Sequence, residues 1–324
     1  MNMKKLLTVG LAATFLVACG NKDVTKGSEE ENVSKVETAQ EEGTATEQTI
    51  TYLGESYTVP AEVKNIITAS LESMEDAAIL GVKPIGVVTI AGDLPDYLAT
   101  DLAGAVSTGE KTQPNYETIL SLKPDVILGT SKFQEEVVEN LNKIGTMIPI
   151  SHISTDWKDN LLLMAQLSGK EAEAEKIISD YQADAEAAKA TLASSVEDKE
   201  AYVIRVRRGS LFVYPADVYL NPVLYEDLGL KVPELITSTA AQEEISFETL
   251  ADVNPDMIFL QFEQSENDDN PALLDEIVNN PIFQSIDAVK NDQLFVNVVD
   301  PMAQGGTAWS KVMFLSAAVE KLSE

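Results

Sequence analysis

The segment Tyr116-Glu-Thr-Ile-Leu-Ser-Leu-Lys-Pro-Asp-Val-Ile-Leu128 returns, in altered form, as Phe247-Glu-Thr-Leu-Ala-Asp-Val-Asn-Pro-Asp-Met-Ile-Phe259. Both copies open with aromatic-Glu-Thr, carry Pro-Asp at the same offset and close on an apolar, strand-like run. Two copies 131 residues apart are too few and too distant for a solenoid, whose period is ~20–50 residues with three or more copies. They fit two similar lobes, each with a short helix, a Pro-Asp turn and a buried strand. A chain of 324 residues matches that reading at ~100–200 residues per domain. Such a chain holds its ligand in the cleft between lobes.

Short β-rich runs at 64–70, 84–90, 125–130 and 147–151 alternate with helical segments at 74–80, 117–122 and 133–144. Continuous apolar strands alternating with helices imply an α/β fold with Rossmann-like lobes and mostly parallel sheets. Ligands of such sheets bind beyond the carboxyl ends of the strands. The loops 70–73, 90–97, 108–114, 130–133 and 151–157 are therefore the candidate cleft in the first lobe. Residues 170–192 contain neither Gly nor Pro and place Ala174, Ile177, Ile178, Tyr181, Ala185, Ala188 and Leu192 at helical spacing. This single long backbone helix separates the lobes. The second lobe reads as strand 201–206, helices 221–228 and 248–253, strand 257–262, helix 272–279, strand 294–299 and helix 307–322. The expected divisions are a signal peptide at 1–18, a disordered tether at 19–48, an N-terminal lobe at 49–168, a linking helix at 169–196 and a C-terminal lobe at 197–324.

A formal charge of −30 argues against a nucleic-acid partner, since phosphate binding needs clustered Lys and Arg. At the start of the chain, Lys4 and Lys5 precede thirteen uncharged, mostly apolar residues, Leu6 to Ala18. That length suits a signal-peptide core and is too short to span a bilayer. It ends in Leu16-Val17-Ala18-Cys19-Gly20, which resembles the lipobox of bacterial lipoproteins and makes Cys19 the expected acylation site. Cys19 is the single cysteine, so no intramolecular disulfide is possible. The expected location is the extracytoplasmic face of a bacterial membrane, lipid-anchored, with no spanning segment in the mature chain, and the expected state is a monomer.

All three arginines of the chain, Arg205, Arg207 and Arg208, sit at the end of one strand. Arg is preferred where a planar fork meets a carboxylate or phosphate bidentately. Strand alternation sends Arg205 and Arg207 to one side and Arg208 to the other. Either the first two hold an anion in the cleft or the group is an ion-paired strand end. Lys111 and Lys132, in candidate loops of the first lobe, face the same choice between ligand and solvent. His152, the single histidine, either hydrogen-bonds its loop or contacts ligand. One histidine and one cysteine make a protein-held soft metal ion unlikely on ligand count, so no resident metal or cofactor is expected. Trp157, Tyr214, Tyr219 and Trp309 are aromatic candidates for the cleft wall, with core packing favoured for Trp309. Asn115 and Ser246 read as N-caps, which puts Glu117 and Glu248 in first helical turns. There they either complement the helix dipole or form a matched pair of surface anions, one per lobe.

The mature region, about 50–322, resembles the ferric-siderophore and cobalamin class of ABC-transporter substrate-binding proteins. The resemblance rests on the paired segments 115–125 and 246–256, and on Asn280-Pro-Ile-Phe with Ala288-Val-Lys-Asn291 near the end. It implies a non-enzymatic protein that delivers an anionic ferric chelate to an ABC permease. It further implies docking of Glu117 and Glu248 onto permease arginines, and a basic ligand set of Lys111, Lys132, Arg205, Arg207 and Arg208, with iron coordination left to the chelator. The basic set and the segment 221–229 look closest to binders of ferric citrate or citrate-type siderophores. Haem or cobalamin binding on the same fold is the alternative, with His152 as a haem ligand. A surface-anchored hydrolase using His152 is the alternative from another class.

Overall fold

Both copies of the repeat fold as a capped helix running into a buried strand. The computed structural model describes residues 46–267 and 270–323, so the signal peptide, Cys19 and most of the tether lie outside the described residues. Asn115 caps helix Tyr116–Leu122 by accepting the Thr118 amide at 3.1 Å, and Ser246 caps helix Phe247–Val253 through the Thr249 amide at 3.0 Å. Each helix ends on a left-handed residue, Lys123 (φ 51°) and Asn254 (φ 44°), and the Pro-Asp pair follows. The aspartates explain why the pair recurs. Asp125 Oδ2 accepts the amides of Lys64 and Asn65, both at 2.8 Å, and Asp256 Oδ2 accepts the amide of Glu200 at 2.9 Å. Each carboxylate satisfies backbone donors at the foot of the neighbouring strand. The repeat is thus a strand-pairing device used once per lobe.

The chain opens with an antiparallel hairpin, β1 (Glu47–Tyr52) and β2 (Glu55–Pro60). The expected tether therefore ends before Glu47, which already pairs with Pro60. Only Ile50, Tyr52 and Val59 of this hairpin are buried hydrophobic residues, too weak an apolar signal among Thr, Glu and Gln to read as strands. The first-lobe sheet comprises β3 (Ile66–Ala69), β4 (Gly86–Thr89), β5 (Val106–Glu110), β6 (Gln113–Pro114), β7 (Val126–Thr130) and β8 (Thr146–Ile150). Its order is β6-β5-β4-β3-β7-β8, parallel except for β5 with β6.

The second-lobe sheet comprises β9 (Ala201–Arg207), β10 (Ser210–Val213), β11 (Glu243–Ile245), β12 (Met257–Phe262) and β13 (Leu294–Val296), in the order β11-β10-β9-β12-β13. β9, β12 and β13 pair in parallel, whereas β9, β10 and β11 are antiparallel. That flank exists because Arg208 (φ 50°) and Gly209 (φ 77°) close a two-residue hairpin between β9 and β10. Positive φ at both central residues is the signature of the type I′ turn, whose twist matches that of the flanking strands. Arg208 is a turn residue, not the next residue of a strand, so its expected place on the opposite strand face does not hold.

The lobes are joined by helix Glu171–Val196, 26 residues long, or about 39 Å at 1.5 Å per residue. Its buried residues Ala174, Tyr181, Ala185, Ala188, Leu192 and Val196 form one stripe, against which helix Trp157–Ser168 and the last helix, Ala308–Leu322, pack. Two expected elements differ. Residues 221–228 form a wide π-type turn, Val223–Asp227, with Leu228 N–H donating to the Val223 carbonyl at 2.9 Å. Asn221 is buried and donates to the carbonyls of Tyr214 (2.8 Å) and Pro215 (2.9 Å); it ties down a loop. The last strand stops at Val296, because Asn297 turns left-handed (φ 49°).

Candidate functional site

Seven of the expected residues meet at one cavity of about 310 Å³, lined by Lys111, Lys132, His152, Arg205, Arg207, Tyr214 and Tyr219. Lys111 sits in the turn between β5 and β6, Lys132 follows β7, and His152 follows β8. Arg205 and Arg207 end β9, so both lobes contribute. Gln242 and Gln304 complete the polar wall.

The cations are partly desolvated and partly neutralised. Burial pushes the Lys111 ammonium down to about 8; Glu72 opposes this and Arg205 adds to it. Burial also lowers Lys132, against the pull of Glu72, whose carboxylate lies 3.8 Å away. Glu72 itself is buried in the first turn of helix Leu71–Leu80. Arg205 is 4% exposed; its Nε donates to Glu266 Oε2 at 3.0 Å and its guanidinium lies 5.3 Å from the Tyr219 ring. Arg207 donates through Nε and Nη2 to Glu266, both at 3.1 Å, and through Nη1 to Gln242 at 3.0 Å. Burial alone would raise the Glu266 carboxyl, but Arg205 and Arg207 outweigh it and hold the group below its ordinary value. Arg205 and Arg207 thus line the cavity and are at the same time ion-paired within the chain.

Tyr219 forms the aromatic floor. Its ring is 5.2 Å from that of Tyr214, and burial pushes its hydroxyl up to about 12. Its φ of 60° is an outlier for a bulky residue. Two neighbours enforce it: Ser154 Oγ donates to the Tyr219 carbonyl at 2.7 Å, and Gly305 runs so close that a Cβ there would stand 2.3 Å from the Tyr219 carbonyl carbon. Strained backbone of this kind collects at ligand sites and is held by surrounding structure. Among the described residues, the buried side-chain atoms without a hydrogen-bond partner include Tyr219 Oη and Arg205 Nη2. Both residues line this cavity, so donors remain for an anionic ligand. Arg205 Nη2 approaches Glu266 Oε2 at 2.8 Å, close in charge terms but poorly aimed as a hydrogen bond.

Two expected cleft residues lie elsewhere. Trp157 is buried behind the cleft, edge-on to Tyr181 at 5.1 Å, in a second cavity with Lys311 and Asp227. It opens helix Trp157–Ser168, whose apolar residues surround the helix too evenly for periodicity to reveal it. Arg208 is exposed in the hairpin turn and lines an adjoining depression with Arg207 and Phe212. His152 reaches the cleft, but its Nδ1 lies 3.0 Å from Ser131 Oγ; burial and then Lys132 lower its pKa. Trp309 packs on Tyr97 at 4.8 Å, and Thr307 caps the last helix. Glu117 and Glu248 are exposed in first helical turns. Among the described residues, no group of three or more His, Cys, Asp or Glu is placed to hold a metal ion. The sequence reading missed Glu72 and Glu266. Both follow carboxyl ends of strands, the same rule that located the lysines, but acids are too common in this chain to stand out.

The sequence model described as Periplasmic binding protein matches residues 66–297. The Iron-uptake system-binding protein of Bacillus subtilis is 47% identical over 328 residues, covering 99% of this chain and 100% of that protein. The Fe(3+)-citrate-binding protein YfmC of the same organism is 25% identical over 245 residues, 74% of each chain. Among solved structures, the triscatecholate siderophore binding protein FeuA from Bacillus subtilis, complexed with ferri-bacillibactin, superposes with a TM-score of 0.82. Its identity is 48%, over 85% of this chain and 98% of that one. What this chain shares with such proteins is a pair of lobes on one long helix, and it belongs to the periplasmic binding protein family as an iron–siderophore substrate-binding protein of ABC transporters.

Proposed function

We propose that the chain captures a ferric triscatecholate in the basic cleft and passes it to an ABC permease for iron uptake. The observation that carries this reading is the convergence of Lys111, Lys132, Arg205 and Arg207 from both lobes on one cavity floored by Tyr219. Three catecholate dianions around a ferric ion leave a trianion with flat aromatic faces. Cations neutralise the charge, and aromatic rings offer edge or stacking contacts to the catechols. The relative solved with ferri-bacillibactin supports the catecholate class over the ferric citrate class suggested by the sequence, since the citrate-named relative is much less similar. Titration with ferri-bacillibactin, ferric citrate and ferrichrome tests this. Tightest binding is expected for ferri-bacillibactin; equal or tighter binding of ferric citrate would reinstate the citrate reading.

The permease partner and the membrane anchor belong to the same proposal. The motif at Cys19 supports acylation there, and a mature protein lacking an acyl group on Cys19 would refute it. For delivery, Glu117 and Glu248 are the docking anions. Each begins a helix that runs back along the strand following it, so both first turns lie toward the carboxyl ends of the sheets. Charged rim residues mainly govern encounter and register. The double variant Glu117→Ala/Glu248→Ala is therefore expected to keep chelate affinity and lose iron uptake. A purely helix-dipole role predicts up to ~1–2 kcal/mol of lost stability over two helices and normal uptake at matched folded protein. Normal uptake by the double variant rules out docking.

A further inference from the structure

The arginines that face an incoming chelate already hold a carboxylate of this chain. Glu266 Oε2 accepts from Nε of Arg205 at 3.0 Å and of Arg207 at 3.1 Å, and Oε1 accepts from Arg207 Nη2 at 3.1 Å. For Arg207 this is the Nε–Nη2 edge, the side on which a guanidinium grips an oxyanion bidentately. Gln242 takes the remaining Arg207 Nη1.

The placement of Glu266 is built into the fold. Its carbonyl accepts the Arg208 amide at 3.2 Å, and Asn267 Oδ1 accepts the Gly209 amide at 3.1 Å. Asn267 Nδ2 in turn donates to the carbonyls of Glu263 (2.6 Å) and Val206 (3.3 Å). The segment bearing the carboxylate is thus stapled to the β9–β10 hairpin that bears the arginines. The first lobe has a looser counterpart in the buried Glu72, 3.8 Å from Lys132. Each half of the cleft therefore presents two cations with one internal counter-anion.

We propose that Glu266 is a specificity-determining residue that acts as a built-in competitor for the chelate's anionic oxygens. In the empty cleft it occupies the arginine edges that a ligand oxygen would use. An incoming anion must share or displace that carboxylate, so the cleft favours ligands carrying several charges. The same competition keeps affinity below its electrostatic ceiling, which suits a protein that has to release its cargo. An uncharged complex neither displaces Glu266 nor is repelled by it. This inference rests on the proposed function and goes further by naming the residue that sets how charge is read.

The test uses the full chain and Glu266→Gln, which keeps the size and one acceptor oxygen but removes the charge. Wild type and variant are titrated with ferri-bacillibactin and with uncharged ferrichrome, at low and high salt, with melting temperatures confirming the fold. The variant is expected to bind ferri-bacillibactin about tenfold tighter at low ionic strength, with the gain shrinking as salt screens it. Ferrichrome binding should be unchanged. Glu266→Asp, which withdraws the carboxylate by one methylene, should give a smaller gain in the same direction and serves if the first variant does not fold. Unchanged or weaker binding of the trianion, or an equal gain for ferrichrome, overturns the proposal. Wild-type protein that ignores ferri-bacillibactin sinks the proposed function. A folded Glu266→Gln protein that fails to tighten on any anionic chelate bound by wild type sinks this inference.

Discussion

Arg205→Ala is expected to weaken binding of a ferric triscatecholate by roughly 10- to 100-fold, because a charge-assisted hydrogen bond contributes ~1.5–3 kcal/mol and each ~1.4 kcal/mol is a factor of ten. Arg207→Ala should weaken it as well, but less. The structure separates the two: Arg205 is buried to 4% exposure and keeps Nη2 without a hydrogen-bond partner, whereas all three Arg207 nitrogens already donate to Glu266 or Gln242. Removing Arg205 also leaves Glu266 with one of its two partners. Glu266 is partly exposed and keeps its pair with Arg207, so the loss is smaller than for a fully buried, uncompensated charge, and the variant is checked for folding before binding is measured. Arg208→Ala is the internal control. Its side chain leaves from an exposed hairpin turn, and its loss should change affinity by less than about twofold, as for rim charges outside a desolvated contact. A loss at Arg208 equal to that at Arg205 would show that the ligand lies outside the cavity floored by Tyr219.

The parts of the molecule legible in the sequence are those where local chemistry and tertiary role coincide. Asn115 and Ser246 cap the helices their positions suggest, and Asp125 and Asp256 recur because each holds the foot of a neighbouring strand. The Ala-rich stripe from Ala174 to Leu192 marked the linking helix, which spans Glu171–Val196. What escaped was structure decided by partners distant in sequence. The β1–β2 hairpin depends on Tyr52, whose hydroxyl accepts the Ser151 amide and donates to Asn160, neither of which is visible from residues 47–60. Trp157 looked like a cleft aromatic because it follows the carboxyl end of a strand, yet the chain is already helical there, with a 3-10 turn at Ser154–Asp156 and Trp157 opening the next helix, and its ring packs on Tyr181. The lysines and arginines were found because cations are scarce here. Their counter-ions were hidden among 53 acids, and only geometry distinguishes Glu72 and Glu266 from the rest.

One acid has a larger effect than either of these, and it acts on stability. Glu75 is fully buried and accepts four hydrogen bonds: from Ser310 Oγ and Thr307 Oγ1 at 2.5 Å, from the Tyr97 hydroxyl at 2.6 Å, and from the Gln304 amide at 3.0 Å. It therefore ties the helix Leu71–Leu80 to the start of the last helix and to Gln304 on the cleft wall. Burial pushes the Glu75 carboxyl from 4.5 up to about 7, with the four donors pulling the other way. The charged groups around it are acids: Glu72 and Asp76 on its own helix and Asp300 beside Tyr97. Because the folded value lies above the unfolded one, the folded state binds more protons between them. The contribution of Glu75 is fully present below about 4.5, is lost as pH rises through the window, and is gone above about 7. A shift of that size corresponds to roughly 3 kcal/mol. Glu75→Gln fixes the group in a neutral form, so its stability relative to wild type should rise by about that amount between pH 5 and pH 8. Denaturant unfolding of both proteins across this range measures the difference. Parallel pH profiles would mean that Glu75 does not titrate in the window and that its four donors keep it ionised throughout.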